Sequence, residues 1–116
     1  SRYYLTVKGV KEEQRSSGIW VSTAAGSTGA IHSAGGKILK ERSQDFQYLC
    51  RELYVGNKKT YRLRQGILSP SQNIKVTSLM REGVIFTDGA RSNCPFIFGE
   101  TIAIQHSSEP LKLIAI

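Results

Sequence analysis

Gly26, Ser27, Thr28, Gly29 and Ala30, followed by Ser33 and the pair Gly35 and Gly36, have the residue types and spacing that best suit gripping a ligand. Glycines at 26 and 29 remove side chains where a planar ring or a sugar could lie against the backbone. Thr28 and Ser33 offer hydroxyls that both donate and accept, which suits ribose hydroxyls and the polar edge of adenine. A helical turn starting near Thr28 would add free backbone N–H groups. The same residues also suit a plain strand-to-helix turn whose hydroxyls cap the helix. A phosphate loop for ATP is excluded, because no Gly-Lys-Ser or Gly-Lys-Thr occurs. The dinucleotide fingerprint Gly-x-Gly-x-x-Gly is absent as well.

Positioning such a turn is the task of the surrounding strands, and period-two patterning dominates the chain. Tyr3, Leu5 and Val7 share one face of a first strand, with Tyr4, Thr6 and Lys8 on the other. Residues 11–17 are polar and read as a connection. Residues 19–23, rich in branched side chains, read as the buried strand that feeds the glycine-rich turn. Residues 48–53 lean towards strand, and residues 61–64, 74–80, 84–87, 101–105 and 111–116 follow as strands. Asp88 with Gly89 signals a hairpin, and Ser69 to Asn73, Phe98 to Glu100 and Ser107 to Pro110 mark further turns. The expected helices are short, one after Thr28 and a second around residues 43–49. Many short strands at near-regular spacing predict a mainly β, two-sheet β-sandwich-like domain with one or two short helices.

The chain has 116 residues, the size of a single domain spanning residues 1–116. Its hydrophobic content of 40% is low for a self-sufficient core and fits a domain that packs against something more. The net charge of +7 attracts phosphates of any kind without choosing among them. The densest basic cluster, Lys58 to Arg64, alternates Tyr61 and Leu63 with Arg62 and Arg64 and reads as a solvated strand face or a polyphosphate contact. The aromatics do not cluster with the cations as a nucleic-acid stacking platform requires, so no nucleic-acid partner is expected. No stretch of about 18 apolar residues exists, and no membrane partner is expected. Cys50 and Cys94 are expected as two buried thiols rather than a disulfide framework. His32 and His106 have no partner at ligand spacing and are expected at the surface, so no metal site is assigned. No catalytic residue is assigned either.

The string from Ser22 to Ala30, then Ser33-Ala34-Gly35-Gly36, resembles the nucleotide-contacting segment of NAD kinases, in which a strand runs into a Thr-x-x-Gly-Ser-Thr turn and ends at Ser-x-Gly-Gly. Asp88-Gly89, the Phe98-Gly99 turn and the strands on either side of Pro110 follow in the order of that family's carboxy-terminal β-domain. Carried over residue by residue, the resemblance sets Thr28 beside the adenine, the Gly29 backbone against the same ring, and Ser33 near the second ribose. Ala30 stands where many members have a tyrosine, Ala25 where others carry a hydroxyl, and Ser17 where bacterial members often carry an aspartate. Arg15-Ser16-Ser17-Gly18 with Ala24-Ala25 looks more like the plant-type NADH kinase branch. The implied activity is transfer of the γ-phosphoryl of ATP, with Mg²⁺, to the adenosine 2′-hydroxyl of NAD or NADH. The family's Gly-Gly-Asp-Gly motif and its Asn-Glu or Asn-Asp pair are nowhere in the chain. The resemblance therefore implies a substrate-binding β-domain that needs a separate N-terminal α/β kinase domain and is inactive alone. It further implies a dimer or tetramer in the cytoplasm, an organellar address being set by a targeting region outside this chain. Two other readings use parts of the pattern: the β-domain of a diacylglycerol- or sphingosine-type lipid kinase, and a basic non-enzymatic nucleic-acid-binding module.

Overall fold

The computed structural model describes residues 1–24, 30–33, 35–40, 43–56, 60–81, 83–86, 93–106 and 112–115. Among these, the chain forms β1 (Arg2–Val7), β2 (Val10–Arg15), β3 (Gly18–Thr23), α1 (Ala30–Ser33), β4 (Phe46–Arg51), β5 (Gln65–Leu68), β6 (Asn73–Ser78), β7 (Gly83–Phe86), β8 (Asn93–Phe96), β9 (Thr101–Gln105) and β10 (Lys112–Ala115). A five-stranded sheet runs in the order β10-β9-β6-β1-β2, a three-stranded sheet in the order β3-β4-β5, and β7 pairs with β8. The pairings are antiparallel.

The mainly β, sandwich-like expectation holds. Alternation aims Tyr3, Leu5 and Val7 of β1, Ile74 and Val76 of β6, and Ile102 and Ile104 of β9 into one core. Phe46, Tyr48 and Cys50 of β4 and Leu68 of β5 meet them from the three-stranded sheet. Phe46, Leu5, Leu68 and Ile74 are fully buried, each worth roughly 1.5–3 kcal/mol of hydrophobic stabilisation. The β7–β8 ribbon is an addition to the expected two sheets, and it places Phe96 and Ile85 against the same core.

Three local expectations are corrected. Residues 11–17 are not a connection: β2 occupies most of them, turning from β1 through Lys8 (φ 50°) and Gly9 (φ 79°), a two-residue hairpin turn that needs positive φ at both positions. After Val10, which packs on the core, the inward-facing residues of β2 are polar, so no apolar period announces it. Gln14, 1% exposed, donates through Nε2 to Leu63 O at 2.5 Å and Glu12 Oε1 at 2.8 Å. It accepts at Oε1 from Tyr3 Oη at 2.8 Å and Cys50 Sγ at 3.2 Å. Burial foremost pushes the Tyr3 hydroxyl well above its usual range and the Cys50 thiol up to about 12.

The second correction concerns residues 61–64, which bend at Arg62 and Arg64 and form no strand. The amides of Arg62 and Leu63 donate to Glu12 Oε2 and Oε1 at 2.8 and 3.1 Å, so a side chain replaces the neighbouring strand. The third is the helix around 43–49. Phe46 to Cys50 are all buried there, in a central strand covered on both faces, a pattern that suits β-structure and leaves no polar side for a surface helix.

The expected turns at Ser69 and Phe98 are present. Gln72 N donates to Ser69 O at 3.0 Å, and Glu100 N to Ile97 O at 3.1 Å with Gly99 at φ 86°. Asp88 and Gly89 lie outside the described residues, but β7 and β8 on either side pair as a hairpin, with Phe86 opposite Asn93. Ser107 to Pro110 also lie outside, between the antiparallel pair β9 and β10. Of the two thiols expected inside, Cys50 is buried and Cys94 is exposed on β8, both free. The Cys94 expectation fails because its strand belongs to the two-stranded ribbon, where Val84 and Pro95 are exposed as well.

Candidate functional site

In sequence, the glycine-rich segment follows the end of β3. Gly18 to Thr23 pair with Arg51 to Phe46 of β4, and Thr23 sits opposite Phe46. Ile19 and Val21 pack on the core, so Trp20 and Ser22 face the other side of the sheet. Their cross-strand partners, Leu49 and Gln47, share that side. Trp20 Nε1 and Ser22 Oγ are both buried without a hydrogen-bond partner among the described residues, a rare condition for polar groups in a protein interior. The Arg51 guanidinium lies over the Trp20 ring, 4.9 Å from its centroid.

Gly26, Ser27, Thr28 and Gly29, four of the predicted site residues, lie outside the described residues. Ala30 opens α1 and Ser33 ends it, exposed. α1 is a single turn, so it offers a few backbone N–H groups and little macrodipole. Its place is fixed by Ile31, only 2% exposed.

The helix stops through its glycines. Gly36 N donates to Ile31 O at 2.8 Å and Gly35 N to His32 O at 3.0 Å, the paired bonds of a Schellman C-cap. Gly35, at φ 105°, takes the conformation that such a cap requires. A Cβ on Gly36 would stand 2.8 Å from Ile31 O and 3.2 Å from Gln47 Oε1, so only glycine fits. His32, exposed, sets Nδ1 3.2 Å from Gly36 O.

Beyond the glycines the chain is clamped to β4. Lys37 N donates to Gln47 Oε1 at 3.0 Å, and Gln47 Nε2 donates in turn to Lys37 O. Gln47 is 3% exposed, and its amide copies a backbone peptide in pairing Lys37. Nothing in sequence periodicity marks Gln47, and it was absent from the predicted site. The one available signal was its place in a run otherwise apolar from Phe46 to Cys50.

The predicted residues thus fall within a frame held at both ends, by β3 pairing with β4 on one side and by Ile31, the C-cap and Gln47 on the other. Among the described residues, no three His, Cys, Asp or Glu side chains come together to hold a metal. At the other end of β3, a cleft of about 510 Å³ is lined by Arg2, Gln14, Arg15, Tyr54 and Tyr61 among others. It is not built from the predicted residues.

Residues 5–116 match the family model of the ATP-NAD kinase C-terminal domain. A "Probable NADH kinase" of Oryza sativa subsp. japonica is 35% identical over 100 residues, covering 86% of this chain and 31% of that protein. An "NADH kinase" of Arabidopsis thaliana is 34% identical over 99 residues, covering 85% and 31%. The chain therefore spans about a third of the length of these curated relatives. The crystal structure of an NAD kinase from Archaeoglobus fulgidus in complex with ATP shares the fold, with a TM-score of 0.72 at 24% identity over 97% of this chain and 41% of that one.

Proposed function

The chain belongs to the ATP-NAD kinase C-terminal domain family, and from that premise we propose that it is the part of a longer NAD(H) kinase that holds the acceptor nucleotide. The reaction is transfer of the γ-phosphoryl group of ATP to the adenosine 2′-hydroxyl of NAD or NADH. In this reading Gly26, Ser27, Thr28, Gly29, Ala30 and Ser33 line the adenosine and ribose side of the acceptor. The observation that carries it is the two-ended frame around those residues, β3 on β4 before them and the Ile31, Gly35, Gly36 and Gln47 anchorage after them. Fixed anchors on both sides of a short segment lower the ordering cost of binding a nucleotide there.

The chain's work is then to bind and orient. Thr28 and Ser33 hydrogen-bond the acceptor, and the glycine backbones flank its rings. Phosphoryl transfer itself needs in-line positioning and charge neutralisation at the phosphates. The sequence carries neither the family's Gly-Gly-Asp-Gly motif nor its Asn-Glu or Asn-Asp pair, so the metal, the ATP and the base on the 2′-hydroxyl are assigned to an N-terminal domain. The isolated chain is accordingly inactive. Assembly of the longer protein as a dimer or tetramer and a cytoplasmic or organellar location belong to the same proposal.

The test is a coupled assay for NADP(H). The longer polypeptide that carries this chain, given ATP, Mg²⁺ and NAD or NADH, is expected to form product, and the 116-residue chain none. Product from the chain alone, or none from the longer polypeptide with either acceptor, would refute the proposal.

A further inference from the structure

On the other face of β4 from Gln47, a smaller cleft opens between the β1–β2 turn and the segment leading into β5. It measures about 260 Å³, and Val7, Lys8, Val10, Tyr48, Arg62 and Gly66 are among its lining. Tyr48 and Gln47 are neighbours in one strand and point to opposite faces. This cleft is therefore separate from the frame that holds the glycine-rich segment.

Tyr48 is only 4% exposed, yet its hydroxyl makes no hydrogen bond with any described residue. It is not among the sealed polar atoms of the interior, so it meets solvent through the cleft. Gly66 lets it get there: a Cβ at that position would stand 3.0 Å from Tyr48 Cε1 and 3.4 Å from Oη. Lys8 is held over the mouth by its turn, with Nζ donating to Ile67 O at 3.1 Å. Two of the three ammonium protons are left over. The Arg62 backbone is pinned by Glu12, while its guanidinium makes no ion pair with a described carboxylate. Glu12 is the nearby anion: it accepts from the amides of Arg62 and Leu63 and from Gln14 Nε2, and its charge, which also acts on the Tyr48 hydroxyl, offsets one of the two cations.

Two cations and an unbonded hydroxyl thus line one cleft as donors, beside apolar walls from Val7 and Val10 that strengthen charge-assisted bonds. Such a set selects an oxyanion. The cleft is smaller than the roughly 300–1,000 Å³ of sites that enclose whole drug-sized ligands, so it suits one anionic group. We propose that this cleft is a second binding site, for phosphate or a phosphate-monoester group, held by Lys8, Arg62 and the Tyr48 hydroxyl.

The test is titration of the protein with inorganic phosphate against chloride at matched ionic strength, followed by backbone amide NMR. Saturable shifts are expected at residues 7–10 and 62–67 and not at residues 31–37. Tyr48→Phe removes a hydroxyl that no described residue bonds, so its Tm without phosphate should equal that of the parent chain. Its phosphate affinity should fall about tenfold, and that of the Lys8→Ala/Arg62→Ala double variant about a hundredfold. The proposal is overturned by the absence of saturation beyond the chloride control. It is equally overturned if Tyr48→Phe binds phosphate like the parent, since binding would then be unspecific attraction to surface cations.

Discussion

Replacing Gln47 with leucine tests the frame of the acceptor segment most directly. The substitution keeps the volume of a side chain that is 3% exposed and removes both bonds to Lys37. Each typical intramolecular hydrogen bond is worth about 1 kcal/mol net. The bonds to Lys37 are only partly buried, so no full burial penalty is added for the freed amide and carbonyl. The expected loss is about 2 kcal/mol. Unfolding entropy of ~2.1 cal/mol/K per residue over 116 residues converts that to a fall in Tm of about 8 °C. Calorimetry or urea unfolding of the chain measures it. In the longer kinase, the same variant should raise KM for the acceptor more than it lowers kcat, because the loosened segment binds and does not react. A stability loss under about 0.5 kcal/mol would show that Gln47 does not hold the segment and would undo the argument from the two-ended frame.

Two further outcomes follow from buried polar atoms. Ser22→Ala deletes a sealed hydroxyl with no partner among the described residues and should raise stability by about 1 kcal/mol in urea unfolding; a destabilised variant would mean that the hydroxyl is used. A thiol reagent at mildly alkaline pH should modify Cys94 at once and leave Cys50 unreacted until unfolding, because burial pushes the Cys50 thiol up to about 12 and keeps it protonated. Mass spectrometry after brief labelling reads this, and prompt labelling of Cys50 would contradict its burial.

Legibility of the fold followed the chemistry of its inward faces. β1, β6 and β9 alternate apolar residues and were readable as written. β2 was not, because Glu12, Gln14 and Ser16 face inward and are satisfied by partners distant in sequence, such as Leu63 and Cys50. Residues 61–64 carried a strand's pattern but spend their amides on a glutamate. β4 was half legible: its apolar run fits either state, and only its place between β3 and β5 decides. For the candidate site, glycine spacing pointed to the turn and its helix. Gln47 stayed hidden, since a glutamine that mimics backbone leaves no periodic trace.

The polar inner face of β2 has a consequence for how the edge of the five-stranded sheet finds its alignment. Hydrophobic strands slip at the cost of exposing grease, and a neighbouring register can recover part of it. A one-residue slip of β2 would turn Lys11, Glu13 and Arg15 inward, where Tyr3, Cys50 and Leu63 now meet Gln14. Charges would be buried and several donors and acceptors left unmet, at about 1–3 kcal/mol for each group. The correct alignment is thus a matching code of donors and acceptors, readable at one offset only, and it discriminates more sharply than oiliness could.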